Sequence, residues 1–160
     1  MAILSSATSK NDAGYPLPVY NFRVEIGGAT IACSEVSGLS IGFETTTYKE
    51  SRPNSGVAGP RVVLMPAQAT TPTLTIKKGM MPRVSVAVLY GWLRTVQINK
   101  VQKKTIYIRL LDERGKAVVS WKVQNAFPTK LDAPSFDASS NDVAIETLEL
   151  TADSISIEET

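Results

Sequence analysis

PRVSVAVLYGWLRTVQIN, residues 82–99, is the stretch on which the fold reading turns. Val84, Val88, Leu89, Trp92, Leu93 and Val96 recur at spacings of three and four. That period lines one side of a helix with apolar groups. Pro82 stands where a helix start tolerates a missing N–H. Nearly every other patterned segment alternates with period two, the signature of half-buried strands. The expected fold is mainly β, a small β-barrel or two-sheet sandwich with one amphipathic helix packed outside.

The strands follow from the alternation. Tyr20, Phe22, Val24 and Ile26 share one face of an expected strand from Val19 to Ile26. Gly27-Gly28 then turns the chain into Ala29–Cys33 as a hairpin. Leu39, Ile41 and Phe43 alternate into Thr45–Tyr48, predicting a long strand that protrudes at its far end. ESRPNSGVAGP (residues 50–60) reads as a mobile loop. Short strands are expected at Arg61–Met65, closed by Pro66, and at Thr73–Lys78. After the helix, Thr105–Leu111 and Ala117–Asn125 pair around Asp112–Gly115. The two prolines of AFPTKLDAPSF (126–136) predict an edge or irregular strand. Val143–Ala152 is a last long strand, which Ile155–Ile157 extends. The tally is about eight strands.

The chain has 160 residues, 43% of them hydrophobic and 20% charged. That bounds it to one domain with a real core, expected over residues 15–160 after a flexible arm at 1–14. The arm carries neither a basic start nor an apolar run and is not expected to be a secretory signal. No apolar run approaches the roughly 20 residues that span a bilayer. There is no histidine, which excludes Ser-His-Asp and Cys-His catalysis and any His-bearing metal site. The single cysteine, Cys33, permits no internal disulfide and fits a reducing compartment; its apolar setting marks it as a buried small hydrophobe. Trp92 and Trp121 sit on apolar faces and are expected in the core. No phosphate loop or calcium loop is present, so the sequence implies no enzyme activity, no cofactor and no metal.

Net charge is +2, yet the charge is polarised. From Lys77 to Lys130 twelve Lys/Arg face only Asp112 and Glu113, and from Leu131 onward eight acids face no base. Two readings stand level: a basic face of one copy meets an acidic face of the next, or adjacent strands of one subunit neutralise each other.

WKVQNAFPTKLDAPSFDASSNDVAIETLEL (121–150) closely resembles the C-terminal part of the tail-tube proteins of contractile phages and phage-like injection systems. YPLPVYNFRVEI (15–26) resembles the opening strand of that family. CSEVSGLSIGFETTTYKE (33–50) resembles its S-E-V-S-G-L stretch, and TLTIKKGM (73–80) the strand and turn ahead of its helix. The four pieces occur in order and span Tyr15–Leu150. One segment departs: ESRPNSGVAGPRVVLMPAQATT is longer and more basic, at Arg52 and Arg61, than the acidic, glycine-rich stretch of many relatives. The departure fits either a shaft subunit or a specialised first ring at the baseplate.

The resemblance implies hexameric rings that stack into a hollow tube inside a contractile sheath. The partners implied are further copies of this chain, the sheath protein, baseplate and spike hub proteins, and a cargo protein or DNA in the lumen. It implies synthesis in the bacterial cytoplasm and an extracellular particle after release. A closing ring needs a head-to-tail interface between unlike patches. Candidate contacts are Glu50, Arg52, Asn54 and Arg61 around the loop, the basic Lys103 and Lys104, and the acidic Asp142, Glu146 and Glu149. The N-terminal arm is a further candidate for contact between stacked rings. Two alternatives are a secreted hexameric ring protein of type VI secretion and a monomeric β-sandwich that binds a ligand.

Overall fold

The computed structural model describes residues 16–53, 56, 58–98 and 100–159. The expected arm at 1–14 and Asn54 lie outside them. Ten strands and one helix are described: β1 (Phe22–Ile26), β2 (Ala29–Ile31), β3 (Glu35–Ser37), β4 (Phe43–Glu50), β5 (Arg61–Ala69), β6 (Thr73–Gly79), α1 (82–93), β7 (Lys104–Leu111), β8 (Ala117–Asp132), β9 (Ile145–Thr151) and β10 (Ser154–Glu159).

The strands pair in the order β2-β1-β7-β8-β9-β6-β3, with β10 also on β8 and with β4 and β5 forming a separate ribbon. β8 belongs to two sheets. Its first part, 117–126, pairs with β7, and residues 119–124 also pair with β10; residues 127–132 pair with β9. Between the two parts Asn125 takes φ +53, a left-handed turn of the backbone, one of the few such positions that a non-glycine residue tolerates. The bend sets the first sheet (β2-β1-β7-β8-β10) against the second (β8-β9-β6-β3). Val24, Ile106 and Val123 of the first meet Leu74, Leu148 and Leu150 of the second in one core. The path is open, ending at β2 and β3, so the sandwich form of the expectation holds and the barrel form does not.

The helix reads as expected along its stripe. Leu89 and Trp92 are buried, with Val84 and Val88 packed against the core. It ends at residue 93, not 99. Thr95 is the reason: its N–H and its Oγ1 both donate to the Trp92 carbonyl, at 3.0 and 2.6 Å, and close a tight final turn. Ser85–Tyr90 is wound as a π-helix. Within it Ser85 and Leu89 are both buried. Among the described residues no helix is long and apolar enough to cross a membrane.

Other boundaries move for local reasons. β1 starts at Phe22, and Tyr20 lies in the preceding turn, 81% exposed. The expected long strand starts at Phe43 and not at Leu39, and it is set apart from β3 by Gly38, whose φ is +87 and where an added Cβ would stand 2.2 Å from the Thr73 carbonyl oxygen. β5 runs through Pro66, because a register shift at that level relieves the need for its missing N–H. β8 runs through Pro128, which is fully buried, so the prolines of 126–136 do not break the strand before Asp132. β10 is a new strand on the first sheet and not an extension of β9.

Leu150 is 0% exposed between the two sheets. Leu150→Ala is expected to cost about 3 kcal/mol of folding stability, read as a lower midpoint in urea unfolding with an unchanged slope.

Candidate assembly interface

The β4–β5 ribbon carries an unusual surface. It pairs from Glu50↔Arg61 back to Phe43↔Ala69, and nearly every residue in it is exposed. Phe43 (66%), Leu64 (74%) and Val62 (54%) lie on one face. Tyr48 (51%) and Met65 (40%) lie on the other. A two-stranded ribbon standing alone in water is marginal, and apolar groups this dense on both faces mark an interaction surface. Alternation groups Leu39, Ile41 and Phe43 without saying what they face; in the structure Ile41 and Phe43 are exposed. No signal in the sequence separates a strand that covers its own core from one that covers a neighbour.

A second apolar feature is a cleft of about 640 Å³ lined by Tyr20, Phe22, Val36, Leu39, Ile108 and Trp121. Trp121 is therefore packed against the core and also lines its opening. Cys33 sits at the cleft wall, half-buried. Burial pushes its thiol up from 9.0 to about 11, against a smaller downward pull from the Lys78 charge. This agrees with an inert small hydrophobe.

The charged candidates divide. Glu50 and Arg61 face each other across the ribbon at 3.6 Å, and Arg52 is exposed beyond them. Lys103 pairs with Asp153 at 3.7 Å, and Lys104 lies over the Trp92 ring at 5.0 Å. Asp142 is exposed in a concavity of about 840 Å³ shared with Phe136 and Val143. Glu149 is half-buried opposite Lys130. Glu146 is not a surface residue: it is 3% exposed and paired at 3.3 Å with Lys78, itself 2% exposed. Lys77–Glu35 and Lys130–Asp132 pair within the subunit as well. Part of the sequence's charge polarity is thus neutralised inside one copy, by Lys78–Glu146, Lys103–Asp153 and Lys130–Asp132, and of the eight described candidates only Glu50 and Arg61 pair with each other.

The Lys78–Glu146 pair was readable and was missed. Lys78 follows Leu74 and Ile76 at period two, and Glu146 precedes Leu148 and Leu150 at period two, so both point inward. They are directly opposite in the β6–β9 register. Ser85 Oγ donates to the same Glu146 oxygen, and its own oxygen accepts from the Met81 N–H at 3.0 Å. Lys78 Nζ also donates to the Gly79 carbonyl at 2.8 Å. This knot fastens the first turn of α1 to the second sheet.

The open, apolar ribbon on a two-sheet body agrees with a family assignment. The sequence model of the T4-like virus tail tube protein gp19 family matches residues 18–156. The chain belongs to this family. Among solved structures, a chain in the cryo-EM structure of an extracellular contractile injection system, the PVC sheath–tube complex in the extended state, is 36% identical with a TM-score of 0.84, covering 98% of this chain and 100% of that one. A chain in the structure of the anti-feeding prophage cap, a tube-terminating cap, is 37% identical with a TM-score of 0.82, covering all of both chains. Hcp1 from Flavobacterium johnsoniae shares the fold at 15% identity and a TM-score of 0.51, covering 88% of this chain and 97% of that one. No protein with a curated description matches. This is a tail tube protein, a structural component of the contractile injection kind.

Two outcomes are expected. Glu146→Ala, which leaves the buried Lys78 ammonium uncompensated, should cost about 3–5 kcal/mol, whereas Lys78→Met with Glu146→Leu should be close to neutral; chemical denaturation reads both. Cys33 in the folded tail tube protein should react with a small maleimide at pH 8 about a hundredfold more slowly than a free thiol, because far less of it is thiolate. The folded-state value lies above the ordinary one, so its contribution to stability is intact below pH 9.0 and is lost as pH rises toward about 11.

Proposed function

We propose that six copies of this tail tube protein close into a ring, and that rings stack into the hollow inner tube of a phage tail-like contractile particle. The β4–β5 ribbon carries this reading: its two apolar faces find no cover among the described residues of their own subunit, and a neighbouring copy supplies it. Open edges support the reading. Among the described residues, β2 and β10 end the first sheet, and β3 and the 127–132 part of β8 end the second. A single chain that leaves such edges bare invites pairing with another chain, and a closed ring removes them. The number six comes from the family resemblance. The tube's partners are the contractile sheath outside it and baseplate or cap proteins at its ends, with cargo in the bore. The role is structural and involves no catalysis. The chain is made in the bacterial cytoplasm and leaves the cell in the assembled particle.

Negative-stain microscopy of the purified protein is expected to reveal rings or tubes with a central hole. Phe43→Asp with Leu64→Asp, on one face of the ribbon, is expected to leave a folded monomer with an unchanged circular dichroism spectrum and to abolish rings. A parent protein that sediments as a monomer at every concentration would overturn the proposal. Rings that persist in the double variant would remove the ribbon from the interface.

A further inference from the structure

The outward face of the first sheet carries a charge pattern that folding alone does not call for. Arg23 and Glu25 alternate with the buried Val24 and Ile26, Tyr107 and Arg109 with the buried Ile106 and Ile108, and Ser120 and Lys122 with Trp121 and Val123. Period two therefore sets Arg23, Glu25, Tyr107, Arg109, Ser120 and Lys122 on one face. In the β1–β7 register Arg23 stands directly opposite Arg109, and like charges so placed repel each other. Tyr107 stands opposite Lys122 in the β7–β8 register. The Arg109 guanidinium lies 4.7 Å from the centre of the Tyr107 ring, and the Lys122 ammonium 5.9 Å from it. Two cations converge on one aromatic ring, with a third beside them.

The compensation is incomplete. Arg109 makes one ion pair, a single bond from Nη2 to Glu25 Oε2 at 3.3 Å. Arg23 and Lys122 make none among the described residues. Arg109 Nε, and the Oγ of Ser120 directly across from it in the β7–β8 register, are buried with no hydrogen-bond partner among the described residues. A buried polar atom left unpaired costs free energy, and native folds keep few of them. A guanidinium presents a planar fork that matches a carboxylate with two parallel bonds. Most of the Arg109 fork is unspent.

From this arrangement we infer that the outward face of the first sheet docks an extended acidic segment of a partner protein, one carboxylate binding Arg109 and Lys122 above Tyr107 and a second binding Arg23. Alternate residues of an extended chain stand about 7 Å apart on one face, and neighbouring strands about 4.8 Å, so carboxylates two residues apart reach both cation groups. The first carboxylate takes the guanidinium fork and the Lys122 ammonium, and it relieves the repulsion among the three cations. Two acids narrow the choice of ligand. Glu25 lies across from Tyr107 on the β1 side, and Glu158 across from Ser120 on the β10 side. A nucleic-acid strand needs a run of Lys and Arg along its phosphates and open aromatic rings for its bases. Here acid flanks the cations on both sides, and the cations cover Tyr107. In a further copy of this chain Asp132, Glu146 and Asp153 are already paired with Lys130, Lys78 and Lys103, which favours a different protein as the source. One subunit carries the whole site, with or without ring closure.

Fluorescence anisotropy with the full chain tests the site. The probe is the peptide Gly-Ser-Glu-Ser-Glu-Ser-Gly carrying an uncharged dye, and its counterpart has Gln in place of both Glu. The acidic peptide is expected to bind at submillimolar protein, and the Gln peptide at least about tenfold more weakly. Lys122→Ala and Arg23→Ala should each weaken the acidic peptide about tenfold. Arg109→Lys keeps the charge and loses the fork, and should weaken it as well. Lys116→Ala, in the turn between β7 and β8, should leave binding unchanged. Circular dichroism checks that each variant is folded. Equal binding of the two peptides, equal binding by the parent and Lys122→Ala, or no binding at about 1 mM protein would overturn the inference. Tighter binding of a dye-labelled oligothymidylate than of the acidic peptide would assign the face to nucleic acid and overturn it too. Loss of rings in Lys122→Ala, from a parent that forms them, would place the face between copies, with the same result.

Discussion

One strand holds the molecule together. β8 carries 16 residues through both sheets, and its bend at Asn125 is what turns an open path of strands into two layers. On one side of the bend Val123 lies in the β1–β7 layer and packs toward the second sheet, and on the other Leu131 lies in the β9–β6 layer and packs toward the first. A bend displaced by one residue would send one set of these residues to solvent, because a one-residue slip exchanges the two faces of a strand. Asp153, next to the turn that starts β10, receives a hydrogen bond from the Asn125 amide at 2.9 Å and thereby ties the returning strand to the bend. Two local devices, a left-handed residue and one side-chain contact, therefore fix the relation between layers.

Within that frame the Lys78–Glu146–Ser85 knot is costly material. Taking two charges out of water is repaid only by near-complete hydrogen bonding, and here the ammonium, the carboxylate and the hydroxyl all find partners. An apolar trio of the same size would hold the helix as firmly. Ser85 is also the first residue of the π-wound turn.

The body is complete and the ribbon is not. Sixteen apolar residues are packed below a tenth exposure in the body, while β4 and β5 leave theirs in water. The contrast places stability in one part of the chain and association in another.

Sequence alone determined the elements with strong local periods. The apolar stripe of α1, the Gly27-Gly28 hairpin, the alternation of β6, β7 and β9, and the four family segments were all legible, because each depends on residues close together in the chain. The same alternation even pointed Lys78 and Glu146 inward, although charge made them read as surface. Only the tertiary structure decided that β8 passes through Pro128 into a second sheet, that β10 swings back to the first, and that Phe43 and Leu64 face solvent. These depend on which strand lies beside which, and period two cannot distinguish a face turned to its own core from a face turned to a neighbour.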